Sequence, residues 1–292
     1  MRVLLIGANG QVGKSLVQKL EGKCDLNALD RYKLDVTDKD KVISLVSLYK
    51  PDVVINASAY NAVDKAEDEI DVAFSVNKMG PAYLAEASDL VGAIFFHIST
   101  DYVFDGTSKS PYKETDLPVP LGVYGKSKLA GEAAALKLNR KTFILRTSWV
   151  FSEYGNNFLK TILRAAKTRD SLSVVADQVG SPTYAGDIAD AIITMVNSVL
   201  HSEDLNIFGI YHFSGEPYVS WAQFAKSIFN MAEKQRILGH ISVLDITSAE
   251  YPTKATRPMN SKLCCEKIQS IFGIKASQWK EELQTLEKYL DY

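Results

Sequence analysis

Short apolar runs alternate with amphipathic stretches along the first half of the chain. The first is a continuous apolar run of strand length, RVLLIG at residues 2–7, after which QVGKSLVQKL has helical spacing. Three later runs share the first pattern: PDVVINASA at 51–59, AIFFHIST at 93–100 and KTFILRTSWV at 141–150. Helical spacing returns between these runs in DKVISLVSLY, GPAYLAEASDLV and KSKLAGEAAALKL. This order predicts an α/β fold with a doubly wound parallel sheet covered by helices on both faces.

The regular alternation ends near Val150. Helical spacing is then strongest in three segments, GNNFLKTILRAAKT, AGDIADAIITMVNSVL and SWAQFAKSIFNMAEK, while SLSVV and IYHFSG have the character of short strands. No repeat, low-complexity tract or Pro/Gly-rich linker separates the halves. The pattern predicts a first domain over residues 1–150 and a smaller second domain over 151–292, with part of the later chain returning to the first domain.

Composition narrows the class of protein. Hydrophobic residues make up 46% of the 292 residues and charged residues 23%, an ordinary balance for a globular protein. The net charge of −2 supplies no basic field for nucleic acid, and no apolar run reaches the roughly 18–20 residues of a membrane span. The three cysteines have neither a disulfide nor a metal-ligand spacing. We therefore expect a cytoplasmic protein without nucleic-acid or membrane partners.

A glycine-rich loop follows the first predicted strand and opens the first predicted helix. Gly7, Gly10 and Gly13 lie in GANGQVG, with the spacing GxxGxxG where the best-known fingerprint has GxGxxG. Glycines at such a turn let the backbone approach a pyrophosphate, whose charge is stabilised at the positive end of the helix. The alternative is a turn with a purely structural role. Because the loop lies between a strand and a helix, we predict a Rossmann-type dinucleotide site in the first domain.

Charged residues at the end of the second predicted strand, CDLNALD, indicate which dinucleotide binds. Asp30 lies about where a carboxylate accepts hydrogen bonds from the adenosine ribose of NADH, while the adjacent Arg31 is suited to the 2′-phosphate of NADPH. The alternative is a solvated strand end. Asp35 either meets the adenine amino group or caps the next helix. We therefore expect the protein to use NADPH or NADH.

Tyr124 and Lys128 lie four residues apart in VYGKSKLAGE. Residues at this spacing are neighbours on one face of a helix, so an ammonium close to a phenol would stabilise the phenolate and lower its pKa. The alternative is that the tyrosine packs on the core while the lysine extends to water. The pair alone does not decide between these interpretations.

Eight sequence blocks between residues 1 and 263 occur in an order typical of one family: GANGQVG, PDVVINASAYNAVDKAE, STDYVFDG, VYGKSKLAGE, RTSWVF, GNNFLKT, DQVGSPT and RPMNSKL. With them the chain resembles the dTDP-4-dehydrorhamnose reductases of the extended short-chain dehydrogenase/reductase superfamily. The resemblance implies an oxidoreductase that uses NAD(P)H to reduce the C4 ketone of dTDP-4-dehydro-6-deoxy-L-mannose to dTDP-L-rhamnose, in polysaccharide biosynthesis.

The resemblance also implies site residues. Thr100 and Tyr124 would polarise the ketone, Tyr124 would donate the proton, and Lys128 would tune the tyrosine and hold the nicotinamide ribose. The implied substrate-binding residues are Thr100, Asp101, Trp149 and Arg257, the last as a partner of the substrate pyrophosphate. The implied cofactor-binding residues are Gly7, Gly10, Gln11, Val12, Gly13, Asp30, Arg31, Asp35, Val36, Ala59, Tyr60, Asn61, Tyr124 and Lys128.

Three further positions qualify the resemblance. Asn77 resembles the helix asparagine that supports the catalytic lysine in the superfamily, although a plain buried amide is equally compatible. Tyr102 stands where nucleotide-sugar dehydratases carry a carboxylate, which argues against dehydration. Ser15 appears at the position of a glutamate that binds a metal between subunits in some members, so we expect neither a metal site nor a Mg²⁺-linked dimer. A homodimer without metal stays open.

Two other functions fit the same resemblance. Methionine adenosyltransferase regulatory subunits resemble the same family, so a non-catalytic regulatory subunit is one alternative. A nucleotide-sugar epimerase with permanently bound NAD is the other. The catalytic set Thr100, Tyr124 and Lys128 favours a reductase over the regulatory subunit, whereas measurement of net NAD(P)H consumption would separate a reductase from an epimerase.

Overall fold

The computed structural model describes residues 1–200 and 204–290. The strands in these residues are β1 (Arg2–Ile6), β2 (Asp25–Leu29), β3 (Val53–Asn56), β4 (Ile94–Thr100), β5 (Thr142–Thr147), β6 (Val150–Phe151), β7 (Ser171–Val175), β8 (Val179–Gly180), β9 (Thr183–Tyr184), β10 (Gly209–His212), β11 (Val219–Ser220) and β12 (Ser242–Ile246).

The α-helices in the described residues are α1 (Gln11–Leu20), α2 (Lys39–Tyr49), α3 (Val63–Ala66), α4 (Ile70–Phe74), α5 (Gly80–Leu90), α6 (Val123–Leu138), α7 (Phe158–Ala166), α8 (Ala185–Val199), α9 (Trp221–Lys234), α10 (Glu266–Phe272) and α11 (Trp279–Glu282). A π-helical turn covers Ser75–Met79, and short 3₁₀ segments cover Asp101–Val103, Leu205–Ile207, Ser248–Glu250 and Leu283–Tyr289. None of the helices described combines the length and apolar character that crossing a membrane requires.

Six strands form one parallel sheet in the order β10-β5-β4-β3-β1-β2. Strand β1 pairs with β2 on one side and with β3 on the other, so Leu4 faces Asn27 and Val54 in the register. The chain therefore reverses its direction of progress across the sheet between β1 and β3. This arrangement confirms the predicted doubly wound α/β fold.

Both faces of the sheet are buried, as the continuous apolar runs predict. Val3 and Leu5 belong to a core shared with helices α1 and α8, whereas Leu4 and Ile6 belong to a core shared with α2, α5 and α6. Successive side chains of a strand point to opposite faces, so a strand covered on both sides needs apolar residues at nearly every position. The run RVLLIG satisfies this requirement.

The second half of the chain contributes to two cores. Strand β10 extends the large sheet beside β5, and α8 packs against α1. A separate core forms around Phe151, Leu159, Phe224 and Trp279, which α7, α9, α11 and their neighbours supply. The division into residues 1–150 and 151–292 remains a prediction.

Several elements differ from the sequence expectation. Helix α6 begins at Val123, three residues before the predicted helical segment, so Tyr124 lies in its first turn. The predicted strand over 141–150 breaks because Trp149 adopts φ 46°, a left-handed conformation that no strand accommodates. Helices α3 and α4 were not predicted, because they are too short to display a helical period.

Candidate active site

The glycine loop lies where the sheet changes its direction of winding. In open α/β sheets, ligands bind outside the carboxyl ends of strands at this point, here the ends of β1 and β3. Gly7 has φ 85°, and a Cβ on it would lie 2.6 Å from the Ser58 nitrogen. A Cβ on Gly13 would lie 2.1 Å from the Gly7 carbonyl oxygen. Both positions therefore require glycine, and they form a narrow backbone cradle.

Helix α1 starts at this cradle with its first N–H groups available. Its N-cap residue, Gly10, supplies no side-chain cap, and its first turn contains no acidic residue. The side chain of Gln11 turns away: its Oε1 accepts hydrogen bonds from Ser152 Oγ at 3.1 Å and Asn157 Nδ2 at 2.9 Å. Val12 packs into the core. Both can therefore reach a ligand in the cradle only through their backbone.

The carboxylate of Asp30 is engaged within its own loop. Its Oδ2 accepts from Asn9 Nδ2 at 2.9 Å, and its Oδ1 accepts from the backbone nitrogens of Tyr32 and Lys33 at 3.0 and 3.1 Å. Arg31 is exposed beside it. The carboxylate therefore also holds the shape of the turn, a role that the sequence analysis does not assign to it.

Asp35 does not cap helix α2, so that part of the expectation is wrong. Its Oδ1 accepts from the backbone nitrogen and hydroxyl of Thr37 at 2.9 and 2.8 Å, and these hydrogen bonds lower the pKa of Asp35. The helix is capped by Asp38, which accepts from the Lys41 nitrogen. Val36 is buried and packs against Gly80 at the start of α5.

The loop after β3 is held by Asn77. Its Oδ1 accepts from the Tyr60 nitrogen at 2.8 Å, and its Nδ2 donates to the Tyr60 carbonyl at 3.1 Å and to Ser127 Oγ at 3.0 Å. None of its hydrogen bonds in the described residues goes to Lys128, so direct support of the lysine by this amide is not observed. Asn77 instead positions the segment that contains Ala59, Tyr60 and Asn61.

Thr100 and Tyr124 meet at the carboxyl end of β4. The Thr100 hydroxyl donates to Asp101 Oδ1 at 3.1 Å, and the Tyr124 hydroxyl donates to Asn61 Oδ1 at 3.4 Å. Burial raises the pKa of Tyr124 well above its usual value, and the contact with Thr100 offsets only part of this rise. The expected lowering of this pKa by Lys128 is therefore wrong in this arrangement, and the phenol is protonated at neutral pH.

Lys128 lies deeper than its spacing from Tyr124 suggests, with 2% of its surface exposed. Its Nζ donates to the Ile98 carbonyl oxygen at 2.6 Å and lies 3.3 Å from His97 Nε2. Burial lowers the pKa of Lys128 to about 8, an effect that the charge of Glu132 partly opposes. The alternative of a lysine extended into water is wrong.

Asp101 is a second buried ionisable group beside Thr100. It is 3% exposed, and its Oδ2 has no hydrogen-bond partner among the described residues. Burial raises the pKa of Asp101 to about 6, although the nearby hydroxyls of Ser261 and Thr100 oppose the rise. A carboxylate with one unsatisfied oxygen is suited to accept a hydrogen bond from a ligand hydroxyl.

Trp149 forms an aromatic platform with Trp221. Their ring centroids are 3.5 Å apart and the planes are inclined by 10°. Trp149 lies against Gly180, where a Cβ would be 2.6 Å from its ring. The left-handed backbone of Trp149 is thus maintained by packing on both sides.

Arg257 already has two partners. Its Nη2 donates to Asp64 Oδ2 at 2.8 Å and its Nη1 donates to the Tyr102 hydroxyl at 3.2 Å. The Tyr102 ring meets Tyr124 edge-on, with centroids 5.5 Å apart. This chain of contacts joins Arg257 to the catalytic tyrosine predicted from the sequence.

Among residues 1–200 and 204–290, no group of three or more His, Cys, Asp or Glu side chains is placed to hold a metal ion. Ser15 is buried, and its hydroxyl donates to the Gln11 carbonyl oxygen within α1. His97, Trp221 and Asp64 also belong to the site, although no sequence motif assigned them to it. The only available signal was for His97, because a histidine within the apolar run AIFFHIST must be buried with a partner.

Comparison with known proteins agrees with this arrangement. A family model described as the RmlD substrate binding domain matches residues 1–291. A dTDP-4-dehydrorhamnose reductase from Aggregatibacter actinomycetemcomitans is 50% identical over 293 residues, 99% of each chain. The crystal structure of a dTDP-4-dehydrorhamnose reductase from Clostridium acetobutylicum has a TM-score of 0.90 and 38% identity. That of the Bacillus anthracis enzyme in complex with NADP has a TM-score of 0.88 and 39% identity, and each structural match covers 97% of both chains. The chain therefore belongs to the dTDP-4-dehydrorhamnose reductase family.

Proposed function

We propose that this protein is an NAD(P)H-dependent reductase that converts dTDP-4-dehydro-6-deoxy-L-mannose into dTDP-L-rhamnose by reducing the C4 ketone. The observation that carries the proposal is the position of Thr100 at the carboxyl end of β4, beside Tyr124 and on the same edge of the sheet as the glycine cradle. The named activity of the similar proteins supports the same reaction.

The cradle fits a dinucleotide, because a Cβ at Gly7 or Gly13 would fill it and the N-terminus of α1 keeps its N–H groups for a pyrophosphate. When bound, the reduced nicotinamide supplies the hydride. The residues that we assign to holding it are Gly7, Gly10, Gln11, Val12, Gly13, Asp30, Arg31, Asp35, Val36, Ala59, Tyr60, Asn61, Tyr124 and Lys128.

Thr100 and Tyr124 bind the ketone oxygen by donating hydrogen bonds to it, which stabilises the negative charge that develops there. Tyr124 then gives its proton to the forming alkoxide. The phenol is protonated at neutral pH, so it holds the proton that this step requires. Tyr102 next to this pair is no carboxylate, which supports reduction over dehydration.

The remaining assignments concern binding. Lys128 holds the nicotinamide ribose, while Asp101 and Trp149 contact the sugar. Arg257 binds the substrate pyrophosphate with its fork of N–H donors, after exchanging its contact with Asp64 for the new anion.

We also propose that residues 1–150 carry the dinucleotide and residues 151–292 most of the substrate, with Gly209–His212 returning to the sheet. The protein would act in the cytoplasm. A homodimer would need no bridging metal, and light scattering with and without a chelator tests this assembly.

The direct experiment measures NADPH oxidation with the proposed substrate, dTDP-4-dehydro-6-deoxy-L-mannose, and with its UDP and GDP analogues. We expect turnover with the dTDP sugar and a kcat lowered at least about 100-fold in Tyr124→Phe, which keeps the ring but removes the proton. Tightly bound NAD without net consumption would identify an epimerase. Cofactor binding without any turnover would identify a regulatory subunit.

A further inference from the structure

Helix α6, which carries Tyr124, is capped by a side chain from another part of the chain. Its N-cap residue, Gly122, has no side chain that could accept a hydrogen bond, and its first turn contains no acidic residue. The backbone nitrogen of Val123, the first residue of the helix, donates instead to Glu67 Oε1 at 2.8 Å. Glu67 lies 56 residues earlier, directly after α3. Its carboxylate therefore satisfies an N–H group that has no partner within α6.

The absence of a side chain at Gly122 makes room for this carboxylate. A Cβ on Gly122 would lie 2.6 Å from Glu67 Oε1 and 3.7 Å from Glu67 Cδ, and the neighbours within 4 Å of it belong to Glu67 alone in the described residues. Gly122 has φ −112° and ψ 175°, an extended backbone that any residue can adopt. The glycine is therefore required by the approach of Glu67 and not by the backbone conformation.

The segment that presents Glu67 is held on its other side. Ala66, the last residue of α3, is fully buried with 0% exposure. Asp64, also in α3, accepts from the Ala255 nitrogen at 3.1 Å and from Arg257 Nη2 at 2.8 Å. Because these contacts do not involve α6, they give the Glu67 carboxylate a place that is independent of this helix.

Tyr124 follows Val123 directly and lies in the turn that Glu67 holds. Its hydroxyl donates to Asn61 Oδ1 at 3.4 Å, and Asn61 comes shortly before α3. Residues 61–67 therefore contact the first turn of α6 at two points, one on the backbone and one on the phenol. A group that transfers a proton to one oxygen tolerates little displacement, since misplacement by about 1 Å can lower a rate about 100-fold.

We propose that Glu67 is a positioning residue of the active site. By accepting the hydrogen bond of the Val123 N–H group, it fixes the start of α6 and with it the position of the Tyr124 phenol. The inference rests on the proton-donor role proposed for Tyr124 above. The competing interpretation is a cap that stabilises the helix and has no influence on the reaction.

The first test removes the acceptor and then restores it. Glu67→Ala leaves the Val123 N–H group without its partner, and we expect kcat with the proposed substrate to fall about tenfold or more. Glu67→Gln keeps an oxygen that accepts the same hydrogen bond, so its kcat should stay within about threefold of wild type. A loss in Glu67→Gln as large as that in Glu67→Ala would overturn the proposal.

The matched control removes another helix cap. Asp38 is the N-cap residue of α2, where its side chain accepts from the Lys41 nitrogen. Asp38→Ala and Glu67→Ala should both unfold at a lower denaturant concentration than wild type, but only Glu67→Ala should lower kcat. If the two variants had the same kcat, Glu67 would only stabilise its helix, and the proposal would be wrong.

Gly122→Ala tests the same contact from the other side. The added methyl group displaces the Glu67 carboxylate from Val123, so kcat should fall as in Glu67→Ala. The double variant should be no slower than the slower of the two single variants, because both substitutions remove one shared contact. Losses that multiply in the double variant would contradict the proposal.

A measurement without substrate separates this inference from the proposed function. In protein with tyrosine labelled with ¹³C at Cζ, Tyr124→Phe identifies the Tyr124 signal among the 14 tyrosines. We expect Glu67→Ala to shift this signal, whereas Glu67→Gln and Asp38→Ala should leave it at its wild-type position. If the wild type does not reduce the dTDP sugar, the proposed function fails and this signal still decides the inference. An unshifted signal in Glu67→Ala would show that Glu67 does not position Tyr124.

Discussion

Two polar clusters lie side by side in the same buried layer and differ in how their charges are balanced. His97 and Ser99 project from the same face of β4, and they meet Lys128 and Glu132, which lie one turn apart on α6. In one cluster Glu132 accepts from Ser99 Oγ at 2.5 Å and from two nitrogens of Arg146. In the other, Lys128 meets a carbonyl oxygen and a neutral imidazole.

This difference teaches that equal burial has opposite consequences for the two charges. The carboxylate of Glu132 is matched by a guanidinium that cannot lose its proton, so the pair acts as a fixed anchor between β5 and α6. Lys128 has no carboxylate among its hydrogen-bond partners in the described residues, so burial disfavours its charged form. One cluster therefore serves the fold, while the other is available to chemistry.

The largest effect should come from breaking the charge-matched cluster. Glu132→Gln leaves Arg146 buried without an opposite charge, so we expect a loss of about 3–5 kcal/mol in the free energy of unfolding, measured with denaturant. The control is Glu132→Leu combined with Arg146→Met, which removes both charges and should restore most of this loss. If Glu132→Gln were as stable as the wild type, the ion pair between Glu132 and Arg146 would not stabilise the fold.

Breaking the other cluster should affect catalysis and not stability. We expect Lys128→Met to lower kcat/KM at least about 100-fold and to weaken cofactor binding. The pKa of Lys128 is about 8 in the folded protein and about 10.4 in the unfolded chain. Below pH 8 the charged lysine therefore lowers the free energy of unfolding by its full amount, and this loss becomes smaller as the pH rises from 8 to about 10.4.

At pH 7 the methionine variant should therefore be at least as stable as wild type. The difference in unfolding free energy between the two proteins should shrink as the pH rises from 8 towards 10. A clear loss of stability at pH 7 would place Lys128 with the structural cluster.

Asp101 sharpens the comparison, because it is a buried carboxylate without a matching cation among its hydrogen-bond partners in the described residues. Its pKa of about 6 predicts that kcat/KM rises with pH through this value as the charged form becomes available to the sugar. Asp101→Asn should remove that limb and lower kcat/KM about tenfold at pH 7. An unaltered acid limb in the variant would assign it to another group.

The stability of Asp101→Asn should depend on pH in the opposite direction to that of Lys128→Met. The folded pKa of Asp101 lies above the unfolded value of about 3.9, so its contribution to stability is present below that value and is lost as pH rises through 6. At pH 7 we therefore expect Asp101→Asn to unfold at the same denaturant concentration as wild type or at a higher one.

The smallest effect should come from the exposed charges at the cofactor edge. Arg31 is exposed, so its contact with a 2′-phosphate should contribute about 1 kcal/mol, and Arg31→Ala should lower kcat/KM for NADPH about fivefold without changing that for NADH. Lys23→Ala, an exposed change beyond the other end of β2, is the control. Equal losses with both cofactors would mean that Arg31 does not read the 2′ position.

Asp30 is a different case, because its carboxylate also holds Asn9 and the turn after β2. We expect Asp30→Ala to reduce kcat/KM with both cofactors, each by no more than about tenfold. The loss should be larger with NADH than with NADPH. A change confined to NADH would show that the turn survives without the carboxylate.

The sequence by itself determined the sheet and the place of its ligand edge. Strands buried on both faces need unbroken apolar runs, and RVLLIG, PDVVINASA and AIFFHIST display them without any tertiary information. The tight turn after the first strand needs glycine at Gly7 and Gly13, because any Cβ there would strike the backbone. Local sterics and periodicity therefore sufficed for the fold class and the glycine cradle.

Only the tertiary structure decided the electrostatics of the site. The spacing of Tyr124 and Lys128 predicted a lowered pKa for the phenol, but burial raises this pKa, and no local sequence pattern measures burial. The side chain of Lys128 also contacts His97, which lies 31 residues earlier in the chain. Trp149 stacks on Trp221, and Arg257 forms an ion pair with Asp64, each across a long stretch of intervening chain. Such contacts depend on how separate elements pack, because desolvation and pairing arise from neighbours in space and not from neighbours in sequence.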